Sequence, residues 1–406
     1  MPPAAGKPVA WTRRILGFGL ASALWAMASG ALWASRPPQG LPSAPSAPDP
    51  RPLAAPLRGH GSPPGWPPPG TDADTEASPA REPPEPPARQ GPATWGPPRR
   101  QKGVALGLFA EDVSFSYAPL LAEIAALGAT HVALIVPIYQ EHGASTSLYL
   151  HTRYSPSLEV VADTARLARR EGLEVTLFPI VRLERPRTPT EWRGTLAPAD
   201  EAAWFKSYEK LLGSLAALGS FTGASRLVVG SELSTLDGHV DAWRALITRV
   251  RAVFSGTLVY SANWDHYRDA GVLDLVDEAG ITGYFDLRKP DGPADVASLA
   301  ARWRLVRGTL EAWAATRKQP WLLTELGYRS RAGASATPWD ETAGGTPDLD
   351  EQRRAFLAFR LAFSEGGTLA GLYVWNWYGY GGPGTLGYTP RGKPAEAEVK
   401  QLLEAL

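Results

Sequence analysis

Residues 131–137 read HVALIVP and residues 173–181 read LEVTLFPIV, with LEVVADTARLARREG between them at 158–172. Both runs are short, mostly apolar and rich in β-branched residues, so each fits a strand of a parallel sheet. The amphipathic stretch between them supplies the helical crossover that parallel neighbours need. Working outward, the same couplet recurs. Apolar runs also occupy 104–109 (VALGLF), 226–230 (RLVVG), 257–262 (TLVYSA), 278–284 (EAGITGY), 320–325 (PWLLTE) and 369–375 (LAGLYVW), eight in all. Helical stretches such as AAWFKSYEKLLGSLAALG and DEQRRAFLAFRLAFSEG separate most of them, and AEAEVKQLLEAL closes the chain. The interval 266–277 has room only for a short helix. Eight such units in about three hundred residues close more simply into a barrel than into an open sheet. The expected fold is α/β, a (β/α)8 barrel of the TIM type over residues 103–406.

Ahead of it the composition changes. Arg13 and Arg14 precede an uncharged, mostly apolar stretch at 15–35. At ~1.5 Å per residue this stretch is long enough to cross ~30 Å of hydrocarbon. Residues 1–36 therefore read as a signal peptide or signal anchor; Ala26 and Ala28 offer a cleavage site, but the apolar run continues past them through Trp33. The positive flank stays inside, so the remainder faces outward: exported, whether extracellular, periplasmic or membrane-anchored. Residues 37–100 hold 21 of the 39 prolines and almost no aliphatic side chains. Such a tract cannot bury enough apolar surface to offset its ordering entropy, so 37–102 is expected to be a disordered Pro-rich linker.

Lys+Arg and Asp+Glu are each 41, and this balance favours neither nucleic acid nor an anionic membrane surface. Fifteen Trp and thirteen Tyr supply flat faces of the kind that stack on sugar rings. With no cysteine, disulfides, Cys-ligated zinc and a thiol nucleophile are all excluded. The six His show no metal-ligand spacing, so neither a metal nor a cofactor is expected. The expected partner is a polysaccharide or oligosaccharide; a membrane enters only through the N-terminal segment, and the chain is expected to act as a monomer.

In such barrels the active site lies where the strands end. The fourth run leads into GSELS with Ser231 and Glu232, the fifth into Asn263, Trp264 and Asp265, and the sixth into Tyr284 and Asp286. The seventh leads into TELGY with Glu325, and the eighth into Trp375 and Trp377. Glycoside cleavage needs one carboxylic acid to protonate the leaving oxygen and a second carboxylate across the sugar carbon. Glu232 and Glu325, on opposed strands, fit those roles as acid/base and nucleophile. A separation of ~5 to 5.5 Å would mean retention and ~6.5 to 9.5 Å inversion, and retention is expected. Tyr284 can donate to Glu325. One of Trp375 and Trp377 is expected to face the axis, with Trp375 favoured and Trp377 either loop or cleft wall. Trp204, Trp243, Trp303 and Trp313 fall in helical stretches and read as packing. The GYGGPG run at 379–384 and the loop at 331–350 read as rim loops, either able to act as a lid.

The motifs GSEL and TELGYRS resemble the acid/base and nucleophile motifs of clan A glycoside hydrolases. TPTEWRGTLAPADEAAWFKSYEKLL, RLVVGSELS, YSANWDHY, ITGYFDL, TELGYRS and LYVWNWYGYGG are together similar to glycoside hydrolase family 113, whose known members are β-mannanases. The resemblance implies Glu232 as acid/base, Glu325 as nucleophile, Tyr284 orienting the nucleophile and Trp375 beneath the sugar at the cleavage point. Trp192 and Arg193 would line the cleft. One position departs from the clan: Asn usually precedes the acid/base and bonds the sugar 2-hydroxyl, where this chain has Ser231. That contact is then weakened, or supplied by Asn263. A non-catalytic carbohydrate-binding or cell-envelope barrel module is the alternative reading.

Overall fold

Eight strands, each buried along most of its length, form a closed ring in the order β1 to β8, every neighbour parallel. They are β1 (Gln101–Gly107), β2 (His131–Gln140), β3 (Glu174–Leu183), β4 (Arg226–Ser231), β5 (Thr257–Ala262), β6 (Glu278–Thr282), β7 (Trp321–Leu326) and β8 (Leu369–Val374). The computed structural model describes residues 100–406 other than Val113 and Glu365. The expected export segment and all but the last residues of the expected linker lie outside the described residues.

The helices are α1 (Ala118–Ala126), α2 (Leu158–Arg170), α3 (Glu201–Thr222), α4 (Val240–Val253), α5 (Val296–Ala314), α6 (Leu349–Phe363) and α7 (Pro394–Ala405). After β5 a short 3-10 turn, Gly271–Leu275, takes the place of a helix, as the brief interval there requires. Helix starts are set locally. Ser157, Asp200, Asp295 and Asp348 each accept a bond from a backbone N–H three residues on. No helix among the described residues is long and apolar enough to cross a membrane.

Alternation divides the core into two layers. Val132, Leu134, Val136 and Ile138 of β2 join the layer between strands and helices, while Ala133 and Ile135 point to the axis with Phe178, Val228, Val259 and Leu322. Trp204, Trp243 and Trp303 are completely buried in the outer layer, and Trp313 packs at its edge. The barrel begins two residues before the expected boundary at Gly103. Gln101 is buried at the closed end, where its amide donates to Glu278 (2.9 Å) and accepts from the Tyr373 hydroxyl (3.0 Å). Arg226 completes that layer by donating to Glu278 at 3.2 Å. A polar residue with such partners carries no hydrophobic signal, so the sequence pattern starts late.

Candidate active site

The two glutamates come to the mouth on strands that both break register. Opposite β5 the ladder of β4 slips between Val228 and Gly230, so that Ser231 pairs with Ser261. Val228 faces the axis and Val229 faces the helices. Without the slip Ser231 would face outward, so the bulge turns it to the axis. Glu232, the next residue, has φ +53, a left-handed conformation that costs a side-chain-bearing residue about 1–2 kcal/mol. Its N–H donates to Ser261 O at 2.8 Å, which holds it there. On β7 two residues, Thr324 and Glu325, stand opposite the single Tyr373 of β8, between the pairs Leu323–Leu372 and Leu326–Val374. Leu323 and Leu326 both face the helices. Thr324 meets the Ser261 hydroxyl at 2.6 Å, while Glu325 stands beside Thr282 and bonds Tyr284 in the axial cluster.

Glu232 is 4 % exposed and Glu325 1 %. The Tyr284 hydroxyl donates to Glu325 Oε2 at 2.7 Å, and Glu325 Oε1 has no hydrogen-bond partner among the described residues. Burial and the facing carboxylate keep the Tyr284 phenol protonated and therefore a donor. Burial first, then the charge of Glu232, pushes the Glu325 carboxyl up to about 8, against the opposing pull of Arg193 and Tyr284. Arg193 lies in the loop between β3 and α3 and donates to Glu232 Oε2. Burial disfavours its charge, but Glu232, Glu325 and Glu341 outweigh that and hold the guanidinium protonated. Its neighbour Trp192 lies under it, 5.6 Å from guanidinium carbon to ring centre.

Trp375 is buried in the axial cluster with Tyr284 and Tyr388. The cluster leaves no space behind β7: a Cβ on Gly327 would stand 2.8 Å from Trp375 O and 3.1 Å from the Tyr388 ring. Trp377 is a correction. It lies 1 % exposed in the outer layer and donates from Nε1 to Glu123 of α1 at 2.9 Å, away from the cleft. Strict alternation would put both tryptophans on one face, but β8 ends at Val374 and no longer governs Trp377.

Asn263 is buried; its Oδ1 accepts from the Trp264 N–H at 2.9 Å, and a longer 3.5 Å contact reaches the Thr282 hydroxyl. Trp264 stacks on Trp339, centroids 5.0 Å apart and planes 23° from parallel. Trp339, Glu341 and Tyr388 are the residues that the sequence did not single out. The first two sit in the loop 331–350, whose Gly- and Thr-rich composition suggested only a lid. That loop is tied down: Arg329 donates to Asp340 O (3.3 Å) and Ala343 O (2.6 Å), and buried Glu351 accepts from Gly333 N and Ser335 N, each at 2.9 Å. Tyr388 donates to Pro338 O at 2.6 Å, linking the loop after β8 to it.

Ser231 Oγ is buried next to Glu232 with no hydrogen-bond partner among the described residues. Because that hydroxyl bonds nothing among the described residues, Ser231→Ala should leave the unfolding free energy within about 0.5 kcal/mol of the parent. If the hydroxyl meets substrate, the same change lowers kcat/KM about tenfold, the worth of one hydrogen bond. Kinetics and urea unfolding on one preparation check both halves.

No curated protein matches the sequence. Among solved structures, the GH113 β-mannanase from Alicyclobacillus acidocaldarius, in complex with ManMIm, is 27 % identical with TM-score 0.67 over 76 % of this chain and 98 % of that one. A GH113 β-1,4-mannanase at 20 % identity shares the fold, with TM-score 0.67 over 76 % of this chain and all of that one. So does the GH5_18 protein from Streptomyces cattleya in complex with Manb1-4GlcNAc, more distantly, at 14 % identity and TM-score 0.51 over 75 % of this chain and 80 % of that one. The model of Glycoside Hydrolase Family 113 matches residues 109–380, which take in both bulged strands, Tyr284 and Trp375; the chain belongs to that family.

Proposed function

We propose that this chain is a retaining, endo-acting hydrolase of β-1,4-linked mannan, with Glu232 as acid/base and Glu325 as nucleophile. The observation that carries the reading is the buried Glu325, held through one oxygen by Tyr284 with the other unpartnered, in the same site as Glu232. The solved relative at 27 % identity is a β-mannanase. Oε1 of Glu325 attacks the anomeric carbon while Glu232 gives its proton to the glycosidic oxygen, and the aglycone departs. Glu232 then takes a proton from water, which displaces Glu325 and restores the pair. Tyr284 keeps the carboxylate aimed throughout, and Trp375 lies beneath the reacting sugar. Ser231 Oγ meets the 2-hydroxyl in place of the amide usual in the clan.

The purified protein should release manno-oligosaccharides from mannan or glucomannan, with the β-anomer appearing first by proton NMR. Glycan binding without turnover across a broad panel would instead favour the binding-module reading. Turnover also needs one proton on the carboxylate pair. Since Glu325 holds its proton to about pH 8, kcat/KM should be level below that and fall about tenfold per unit above it. A pH–rate profile checks this; a decline already complete at pH 6 would count against it.

Arg13, Arg14 and the apolar stretch at 15–35 support export, and the 21 prolines at 37–100 support a spacer between that segment and the barrel. On this reading the barrel works outside the cytoplasm on polymer, as a monomer, with the N-terminal segment either cleaved or retained as an anchor.

A further inference from the structure

Two strands of the barrel are longer than the rest. β2 and β3 each run for ten residues, against five to seven in the other six. β1 stops at Gly107, opposite Ile135, while the β2–β3 ladder continues to Gln140–Leu183. At ~3.3 Å per residue the pair rises about 16 Å beyond the end of β1. Where β1 has stopped, Tyr149 takes its place beside β2, exchanging two 2.8 Å backbone bonds with Tyr139. The alternation lower in these strands fixes where the side chains go. Ile135, Phe178 and Ile180 face the axis, whereas Val136, Ile138, Val181 and Leu183 face the helices. Tyr139, Arg182 and Glu184 therefore continue the axial rows above the core, and Tyr149, paired with Tyr139, shares their face. The Tyr149 hydroxyl donates to Glu184 Oε2. Behind it Tyr139 packs on His151, centroids 5.2 Å apart, and His151 stacks on Tyr154 at 4.6 Å. An axial position that serves packing alone is apolar, as Ile135 and Ile180 are. Here the same rows end in a phenol, a guanidinium and a carboxylate, and Tyr149, Arg182 and Glu184 all remain partly exposed.

We propose that this face extends the catalytic cleft into a remote sugar-binding subsite: a β-1,4-linked chain whose cleaved bond lies between Glu232 and Glu325 lays a further unit against Tyr149, with adjacent hydroxyls bonded by Arg182 and Glu184. The chemistry suits an uncharged sugar. A guanidinium only donates and a carboxylate only accepts, so together they meet both roles of a pair of neighbouring hydroxyls. Opposite charges on one face favour neither an anionic nor a cationic ligand. The ring cluster behind them and the paired backbone hold these groups in place, which lowers the ordering cost of binding. The face is also continuous with the axial layer of Ile135, Phe178 and Ile180, and in the ring β3 stands directly beside β4, which leads into Glu232. The inference rests on the function proposed above and adds that the enzyme senses the length of the chain it cleaves.

The test compares kcat/KM of the full chain on β-1,4-mannohexaose with that on the shortest manno-oligosaccharide it cleaves. Arg182→Met should lower the ratio of the two about tenfold, the worth of a hydrogen bond to a charged group, with the loss mainly in KM. Glu184→Gln should lower it by less, because the amide oxygen still accepts. Aryl β-manno-oligosaccharides of increasing length, which share one leaving group, place the subsite. A loss that grows with length in this series puts it on the glycone side; a loss confined to the free oligosaccharides puts it on the aglycone side, and either supports the inference. A variant that merely disturbs the fold lowers both rates alike and leaves the ratio where it was. A ratio unchanged in both variants, with mannan still cleaved by the parent, would overturn the subsite and leave the catalytic pair intact. Absence of turnover by the parent on any β-glycan would remove the functional reading and the subsite with it. Should Arg182→Met not fold, a crystal structure of Glu325→Gln with bound mannohexaose decides the matter. A sugar unit within hydrogen-bond reach of Arg182 and Glu184 supports the subsite, and a chain bound across the catalytic pair with this face bare contradicts it.

Discussion

Glu325→Gln is expected to lower kcat on β-1,4-mannan by about 10⁴-fold or more while making the protein harder to unfold. The loss follows from the chemistry: an amide oxygen is too weak a nucleophile to form the glycosyl-enzyme, and among the described residues no other carboxylate is bonded to Tyr284. The gain follows from the electrostatics. Burial and the nearby Glu232 raise this carboxyl to about 8 in the folded state from an ordinary value of 4.5. An acid whose folded value is raised contributes stability that is fully present below the unfolded value and lost as pH rises through the folded one. The parent therefore weakens progressively from about pH 4.5 to 8 at this position, and glutamine does not. The melting temperature of the variant should exceed that of the parent by a few °C at pH 8, and by less at pH 5. Scanning calorimetry at the two pH values, beside steady-state rates, measures both effects. A variant that keeps activity, or is less stable at pH 8, speaks against the role given to Glu325.

Glu232→Ala should cost about 10²–10⁴-fold on mannan, the usual worth of a general acid, with most of the loss in the glycosylation step. On an aryl β-mannoside with a good leaving group the first step needs no protonation, so the loss there should be much smaller and turnover should stall at the intermediate. Azide, small enough to occupy the space of the missing carboxyl, should then accelerate turnover and give a β-glycosyl azide. Equal losses on both substrates, with no rescue, would show that Glu232 does not donate the proton. The change should also free Arg193, whose nearest carboxylate is Glu232.

Much of the barrel could be read in advance because parallel strands buried on both faces have to be continuous apolar runs. HVALIVP and LEVTLFPIV stand at the heart of β2 and β3 for that reason, paired residue for residue from His131–Glu174 to Gln140–Leu183. What eluded the sequence depends on register or on partners far along the chain. Gln101 pairs with Gly371 of β8 and is buried because Glu278, 177 residues on, accepts from its amide and the Tyr373 hydroxyl donates to it. The bulges that aim Ser231 inward and set Thr324 and Glu325 side by side arise from neighbouring strands, and no local pattern marks them. Glu232 and Glu325 were legible as strand-end acids, yet the Arg193 bond joins residues 39 positions apart. Trp377 was misplaced because its direction is set after the strand has ended, by Glu123 on the first helix. Trp339 was passed over because the composition of its loop suggests mobility, whereas hydrogen bonds from Arg329 and to Glu351 hold that loop to the rim.

The central claim is that Glu325 becomes covalently bonded to the sugar. Incubating the protein with 2-deoxy-2-fluoro-β-mannosyl fluoride, which forms the glycosyl-enzyme quickly and releases it slowly, followed by proteolysis and mass spectrometry, tests it most directly. One fluoromannosyl group on the peptide carrying Glu325, absent from Glu325→Gln, is the predicted result; a label on another residue, or none while mannan is still being cleaved, would contradict it.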